Sequence, residues 1–219
     1  MSRLPLIIAI DGPAAAGKGT LARRLAESLG LPYLDTGLLY RAVGRRMLDA
    51  GLDPATDAAE DQARRITLAD LERDDLRVPA VDRAASLVAS QQAVRTILVD
   101  TQRNFARAGG GVLDGRDIGT VIFPDAPVKL FITASPTARA RRRWEQMAAD
   151  LDAPDRAAQI ARVAAELAAR DAADAGRAVA PLRAAPDAVL IDTDAMTADE
   201  VLAEALRIVR SRTGRLTTV

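Results

Sequence analysis

Apolar residues in this chain occur in two patterns, short continuous runs and repeats with helical spacing. A continuous run covers residues 4–10, a weak second strand is predicted at 32–35 and further strands at 127–134 and 187–193, and the turn "GGGVLD" at 109–114 leads into the third strand. Runs of this length are typical of strands that are buried on both faces of a parallel sheet. The pattern therefore predicts five strands, with any ligand at their carboxyl ends.

Helical spacing fills the segments between these strands. Leu21, Leu25 and Leu29 recur every four residues, which gives one apolar helix face. Thr197 and Glu200 form a capping box that predicts the start of the last helix. Further helices are predicted over residues 36–51, 89–107 and 137–175, the last interrupted near 152–154.

Residues 51–88 differ from the rest of the chain because they are polar, charged and poor in long apolar runs. We expect a helical insertion on the rim of the core. Strands that alternate with helices elsewhere predict an α/β fold with three layers, a five-stranded parallel sheet covered by helices on both faces.

The loop after the first strand has the composition of a phosphate-binding loop. Its sequence is "GPAAAGKGT" at 12–20, between an apolar run and an amphipathic helix. Backbone N–H groups and a helix N-terminus can bind phosphate there, and the small side chains allow close approach. The general pattern has a hydroxyl directly after the lysine, whereas here Gly19 follows Lys18 and the hydroxyl is on Thr20. A flexible turn with a solvated lysine is the alternative, which the flanking strand and helix disfavour.

Composition removes several classes of function. The chain has 30 basic and 30 acidic residues, no cysteine and no histidine. Disulfides, thiolate catalysis and cysteine-bound zinc are excluded, and any general base would be a carboxylate. Zero net charge gives no support to a nucleic-acid or membrane-surface partner, and the first apolar run is too short for a signal peptide or a membrane span. We expect a monomeric cytoplasmic protein.

Further charged and polar side chains follow the other strands. Thr36, Tyr40 and Arg41 begin the helix after the second strand, with Thr36 and Tyr40 on one face. Arg116 and Asp117 follow the third strand. Arg170, Asp174 and Arg177 are spaced to share one helix face, and Arg95 lies on another helix. Each arginine alone would be read as a solvated charge, but several around one phosphate loop predict guanidinium contacts to anionic phosphates.

Five blocks together carry a resemblance to a known family. They are "IDGPAAAGKGT", "LDTGLLYR", "AASLVASQQAVR", "DGRDIGTVIFPDAPVKLFITAS" and "RDAADAGRAVAPL", in this order between residue 6 and about residue 193. The chain resembles the bacterial cytidylate kinases, a branch of the nucleoside monophosphate kinases. That resemblance implies a P-loop kinase fold with one domain over 1–219. Its core would be 1–50, 89–143 and 179–219, its helical NMP-binding insertion about 51–88, and its mobile lid about 144–178.

The resemblance also implies a role for each matched residue. The acceptor phosphate would contact Arg41, Arg116 and Arg177, cytosine would contact Ser86, Arg95 and Asp117, and the sugar would contact the lid residues Arg170 and Asp174. Thr36 and Tyr40 belong to the same CMP side. The ATP side comprises Gly12, Pro13, Ala14, Ala15, Ala16, Gly17, Lys18, Gly19 and Thr20, with Arg139 and Arg143 near the adenine and phosphates.

The implied reaction transfers the γ-phosphoryl group of ATP to CMP or dCMP. The acceptor oxygen is already anionic, so no base is needed, and alignment and charge neutralisation by Lys18, Arg170, Arg177 and Mg²⁺ would suffice. Mg²⁺ would be held by phosphates, water and Thr20, with Asp11 and Asp114 as outer-shell candidates. Asp accepts from the cytosine amino group and Arg donates to N3 and O2, whereas uracil would place an oxygen against Asp117.

Three alternatives stay open at the level of sequence. The chain could be another P-loop small-molecule kinase, for instance one acting on UMP, against which the Arg95–Asp117 pair argues. It could be a regulatory nucleotide switch, which would need the hydroxyl directly after Lys18 and would leave the acceptor-side arginines unexplained. It could also be an inactive relative, which the intact motif residues disfavour.

Overall fold

A computed structural model describes residues 5–107, 109–147 and 154–214. The strands are β1 (Ile7–Asp11), β2 (Tyr33–Asp35), β3 (Gly111–Gly115), β4 (Val128–Thr133) and β5 (Val189–Asp192). The helices are α1 (Lys18–Leu29), α2 (Thr36–Asp49), α3 (Glu60–Arg64), α4 (Leu68–Leu71), α5 (Pro79–Val88), α6 (Gln92–Arg107), α7 (Pro136–Met147), α8 (Arg156–Ala175) and α9 (Ala198–Thr213). A 3₁₀ turn covers Asp74–Arg77 and a π-helical turn covers Ile118–Ile122.

The five strands form one parallel sheet in the order β2-β3-β1-β4-β5, which confirms the predicted α/β fold. The register aligns Asp35 with Asp114 and Asp11 with Gly115. The carboxyl ends of β1, β2 and β3 therefore meet at one edge. The loop at 12–20, the start of α2 and Arg116 all emerge there.

Alternation along β1 separates two layers of helices. Ile8 and Ile10 pack with α1 and α9, whereas Ile7 and Ala9 pack with α6 and the π-helical turn. Successive side chains of a strand point to opposite faces, so the sheet is the middle of three layers. Leu21 and Leu25 are buried against it, and the predicted Thr197–Glu200 capping box is present at the start of α9.

The insertion at 51–88 is helical, as predicted, and it has an apolar cluster of its own. Met47 of α2, Ala63 of α3 and Val88 of α5 are buried together with Val94 and Leu98 of α6. Although this segment is mostly polar, a few apolar residues at suitable spacing are therefore enough to pack it on α2 and α6.

The predicted helix over 137–175 is two helices, α7 and α8, which pack through Trp144, Val163 and Leu167. The indole of Trp144 donates to Gln159 Oε1 over 2.8 Å. The expected interruption near 152–154 falls mostly on residues outside the described ranges, and Pro154 lies in a turn before α8. None of the helices in the described part of the chain has the length and apolarity needed to cross a membrane.

Candidate active site

The loop between β1 and α1 is shaped by two glycines. A Cβ at Gly12 would overlap the carbonyl oxygen of Ile132 on the neighbouring strand β4. Gly17 caps α1 with φ 92°, a left-handed conformation that glycine adopts without strain. Ala15 also has a positive φ of 60°. The loop thus presents the N-terminus of α1 and its free N–H groups to the sheet edge, an arrangement that binds anions.

The packing of the protein around Gly19 does not itself require a glycine at this position. A Cβ there would meet only Asp114 Oδ2 at 3.7 Å and the Tyr33 hydroxyl at 3.8 Å, which are ordinary contact distances. The space beside Gly19 opens into the cavity described below.

Lys18 and Asp114 form an electrostatically linked pair at the start of α1. Burial lowers the pKa of Lys18, and the nearby Arg116 lowers it further. Burial raises the pKa of Asp114, and Asp35 raises it further. Tyr33 donates its hydroxyl to Asp114 over 2.9 Å. A phosphate beside Lys18 would favour the charged ammonium, because an opposite charge stabilises it.

Asp11 has a different position from the one expected. Its two carboxylate oxygens accept from the backbone N–H groups of Ile118 and Gly119, each over 2.8 Å. Burial raises the pKa of Asp11 to about 6, although these hydrogen bonds oppose the rise. Asp11 fixes the turn after β3 and does not line the cavity, so the expectation of an outer-shell metal contact is corrected for this residue; Asp114 does line the cavity.

A cavity of about 740 Å³ lies along this edge of the sheet. Nine basic side chains and four aspartates of the described residues line it, although the whole chain has no net charge. Such a local excess of positive charge attracts anions. Its basic residues are Lys18, Arg23, Arg41, Arg77, Arg95, Arg116, Arg143, Arg170 and Arg177.

Arg95 and Asp117 form a buried ion pair at one end of the cavity. The side chains are 3% and 7% exposed, and a second N–H group of Arg95 donates to the carbonyl oxygen of Ala89 over 3.3 Å. The guanidinium also lies 5.6 Å from the ring centre of Tyr40, whose buried hydroxyl has no hydrogen-bond partner. Burial raises the pKa of Asp117 while Arg95 opposes the rise. The pair presents an acceptor and a donor side by side.

Asp174 of α8 joins two arginines. Its carboxylate accepts from Arg116 Nε over 2.8 Å and from Arg177. Burial raises the pKa of Asp174, but Arg116 and Arg177 outweigh that effect and hold the pKa below its usual value. The predicted helix face is correct for Arg170 and Asp174 but wrong for Arg177, because α8 ends at Ala175 and Arg177 lies in the following loop.

Arg139 lies behind the phosphate loop instead of in the cavity. It donates to the carbonyl oxygen of Ala14 over 3.1 Å and pairs with Asp171 at 2.6 Å. Arg139 thus ties the loop to α8, and its position near the adenine and phosphates of ATP stays a prediction. Arg143, one helical turn further along α7, does line the cavity.

The hydroxyl groups of Thr36 and Ser86 both donate to backbone carbonyl oxygens of the protein. Thr36 donates to the carbonyl oxygen of Asp114 over 2.8 Å, and Ser86 donates to that of Asp82 over 3.2 Å. Both still line the cavity. The remaining expected residues with cavity-facing atoms are Ala14, Ala15, Gly17, Lys18, Gly19, Thr20, Tyr40, Arg41, Arg95, Arg116, Asp117, Arg143, Arg170, Asp174 and Arg177, whereas Gly12, Pro13 and Ala16 shape the loop from behind.

Some residues of the site were not anticipated from the sequence. Arg23 and Arg77 line the cavity, and Asp82 pairs with several of its arginines. The i,i+4 spacing of Asp82 and Ser86 on α5 was the available signal, since it puts both on one helix face.

The oxygen donors of this site suit a Mg²⁺ ion that is also coordinated by the phosphates of the nucleotide. No group of three metal-binding side chains occurs among residues 5–107, 109–147 and 154–214. Mg²⁺ in phosphoryl-transfer sites is bound through substrate phosphates and water with one or two protein oxygens. Thr20 and Asp114 both line the cavity beside the phosphate loop and can supply those oxygens.

Comparison with known proteins gives one family. The family model described as cytidylate kinase matches residues 8–211. A cytidylate kinase from Acidiphilium cryptum is 60% identical over 94% of this chain and 95% of its own length. One from Granulibacter bethesdensis is 57% identical over 94% of this chain and 98% of its own length.

Solved structures extend the likeness of fold. A gluconokinase from Sinorhizobium meliloti aligns with a TM-score of 0.52 and 16% identity, over 97% of this chain and 96% of its own. An uncharacterized protein from Eubacterium ventriosum aligns with a TM-score of 0.53 and 16% identity, over 96% and 99%. At this identity the likeness concerns the fold alone.

Proposed function

This chain belongs to the cytidylate kinase family and phosphorylates CMP with ATP, and we propose that it also accepts dCMP and works with Mg²⁺. The observation that carries the assignment of the site is the buried Arg95–Asp117 pair, which faces the same cavity as the phosphate loop. Because the chain belongs to a family of kinases, the alternative of a regulatory nucleotide switch is no longer needed.

The donor side is the loop from Gly12 to Thr20 with Lys18. Its N–H groups and the N-terminus of α1 would bind the ATP phosphates, and Lys18 would bridge the β- and γ-phosphates. Arg143 of α7 lines the cavity and can reach the same anion. Mg²⁺, when bound, would neutralise charge on the phosphates, held by Thr20 and through water by Asp114.

The acceptor side reads cytosine through complementary groups. Asp117 would accept from the 4-amino group, and Arg95 would donate to N3 or O2. Ser86 lies on the same side, and Tyr40 borders the pair. Uracil would place O4 against the Asp117 carboxylate, which is repulsive, so CMP and dCMP are preferred over UMP.

Phosphoryl transfer then needs alignment and charge neutralisation. A CMP phosphate oxygen forms a bond to the γ-phosphorus as the bond from that phosphorus to the β,γ-bridging oxygen breaks, giving CDP and ADP. The attacking oxygen is already ionised, so no base takes part. Arg41, Arg116 and Arg177 would hold the acceptor phosphate, and Lys18, Arg170 and Arg177 would stabilise charge on the transferring group.

The lid, about residues 144–178, supplies Arg170 and Arg177, and Arg143 lies at the end of the core directly before it. We infer that the lid closes over the nucleotides and excludes water, which would otherwise hydrolyse ATP. We also propose that the protein acts as a cytoplasmic monomer. Exposed large apolar side chains of the described surface, such as Leu68 and Leu190, lie singly on different elements, which supports a monomer.

An acceptor profile tests the proposal. ADP release is measured with CMP, dCMP, UMP and AMP in turn, with ATP and Mg²⁺. We expect kcat/KM for CMP and dCMP to exceed that for UMP and AMP by about 10- to 100-fold, the discrimination of a good bidentate base contact. Turnover of AMP at the CMP rate would reject the assignment of Arg95 and Asp117 to base reading.

A further inference from the structure

Asp82 lies between three arginines that come from three different helices. Its Oδ1 is 2.8 Å from Arg41 Nε on α2, and its Oδ2 is 2.9 Å from Arg143 on α7. Arg170 on α8 is 3.7 Å from Oδ1. The Asp82 side chain is 12% exposed, so this carboxylate is largely withdrawn from water.

Among the described residues, the three arginines line the cavity whereas Asp82 does not. The carboxylate therefore contacts the guanidinium groups from behind. A guanidinium carries five N–H groups in a fixed plane. By accepting from Nε of Arg41 and from one terminal nitrogen of Arg143, Asp82 sets the plane of each group and leaves its other N–H groups for phosphate.

The charge of this cluster requires a counter-ion. Arg41, Arg143 and Arg170 repel one another, and Arg116 adds to that field. Burial and, after it, the charge of Arg116 lower the pKa of Arg170 to about 10, although Asp82 acts against both. The Nε atom of Arg170 is buried and has no hydrogen-bond partner, so the position of this side chain depends on its charge partners.

An ordinary ion pair on a helix surface would join two exposed side chains and contribute little. Asp82 instead connects the acceptor-side Arg41 with Arg143 of α7 and with the lid residue Arg170. We propose that Asp82 is a positioning residue for phosphoryl transfer, which aligns these three arginines across the cavity so that they act on the phosphates together. This inference rests on the proposed function, and Asp82 itself does not touch the reacting atoms.

A double-mutant cycle on kcat tests it. Asp82→Asn keeps the size of the side chain and removes its charge, and we expect kcat to fall about 10- to 100-fold, as misplaced catalytic groups commonly cause. In an Arg170→Ala background the same substitution should lower kcat by a smaller factor than it does in the wild type, because one of the three arginines through which Asp82 acts is gone. A purely structural effect would be equal in both backgrounds.

Asp49→Asn is the matched control. Asp49 also joins two arginines, Arg45 and Arg73, but at a site outside the cavity. It should lower the thermal midpoint and leave the kcat of the folded enzyme unchanged in both backgrounds.

Wild-type kcat in folded Asp82→Asn, or an equal loss in both backgrounds, would overturn the inference. If the Asn variant does not fold, Asp82→Glu is used in the same cycle, since it keeps the charge and moves the carboxylate by one methylene. A Glu variant with wild-type kcat would likewise overturn it. Absence of CMP turnover in the wild-type protein would instead reject the proposed function, so the two failures are distinguishable.

Discussion

At the scale of single residues, Asp117 decides which base the site accepts. Its carboxylate is buried against Arg95, so the two side chains form one recognition unit. In Asp117→Asn an amide can donate to O4 of uracil, and the charge-assisted contact to the cytosine amino group is lost. We expect the ratio of kcat/KM for CMP to that for UMP to fall by about 10- to 100-fold, measured by ADP release.

Asp187→Asn is the control for this substitution, because Asp187 pairs with Lys129 at a surface site away from the cavity. It should leave the CMP to UMP ratio unchanged. An Asp117→Asn enzyme that is folded and keeps the wild-type ratio would remove Asp117 from the base-reading role.

Lys18 gives a second prediction at this scale. Lys18→Met removes the ammonium beside the phosphate loop, and we expect kcat to fall about 100- to 1,000-fold, the loss that follows removal of one strong donor to a transition state. CMP binding, measured by calorimetry, should persist because the acceptor arginines are untouched.

The chain's other lysine offers the matched control for Lys18. Lys129 is buried on β4 and pairs with Asp187, and neither residue lines the cavity. Lys129→Met should lower stability and leave the kcat of the folded enzyme intact. Full activity in Lys18→Met would contradict the assignment of the phosphate loop.

Some residues of the site could be predicted from the sequence, whereas others could not. Lys18 stands in a loop whose spacing has a chemical meaning, and Arg95 and Asp117 stand in blocks whose resemblance to the cytidylate kinases implies their role. Asp82 could not be predicted in this way, because one aspartate in a charged segment resembles a solvated helix residue. Its role depends on Arg143 and Arg170, which are distant in the chain and reach it only after folding.

At the scale of elements, the contact between α2 and α5 controls the acceptor side. A Cβ at Gly44 would lie 2.8 Å from the backbone nitrogen of Ala85 and 2.9 Å from the Cβ of Ala84. Backbone cannot move aside alone, so Gly44→Ala must displace α5 together with Ser86. Overpacking costs about 1–3 kcal/mol, which exceeds the gain in helix propensity of about 1 kcal/mol.

We therefore expect Gly44→Ala to lower the free energy of unfolding in urea and to raise the KM for CMP. The KM for ATP serves as the internal control and should not change, because the phosphate loop and α1 lie apart from this contact. A more stable variant with an unchanged KM for CMP would contradict the close packing of α2 on α5.

Elements with strong periodicity were predicted well, and those defined by tertiary contacts were not. The spacing of Leu21 and Leu25 and the capping box at Thr197 specify α1 and α9 locally. The π-helical turn at Ile118–Ile122 has no such signal, because it is fixed by the distant carboxylate of Asp11. The end of α8 at Ala175 agrees with the helix predicted over 137–175, but Arg177, which was expected to share a helix face with Arg170 and Asp174, lies beyond that end.

At the scale of the molecule, strand order brings the site together. Runs of apolar residues predict a parallel sheet but do not give its order, because that order depends on how each crossover packs. In the order β2-β3-β1-β4-β5, strand β3 lies between β1 and β2. Arg116 follows β3, the phosphate loop follows β1, and α2 follows β2. Donor and acceptor groups therefore meet at neighbouring strand ends, and the excess of positive charge is local in a neutral protein.

Asp174 connects the lid to this core, and its charge makes stability depend on pH. Asp174→Asn leaves Arg116 and Arg177 without their buried counter-ion, which costs about 3–5 kcal/mol of unfolding free energy when one partner of a buried pair is removed. The two arginines hold the pKa of Asp174 below its usual value of 3.8, although burial alone would raise it. A depressed pKa in the folded state means that the stabilisation is complete above the unfolded pKa and is lost as pH falls through the folded one.

Urea unfolding of wild type and Asp174→Asn between pH 3 and pH 7 measures this contribution. The difference in free energy of unfolding should be constant from neutral pH down to about pH 5 and should shrink only below about pH 4. Asp199→Asn, which removes an exposed partner of Arg24, should follow the wild-type curve throughout. A difference between wild type and Asp174→Asn that is lost near pH 6 would mean that Asp174 is protonated more readily than its two arginines allow.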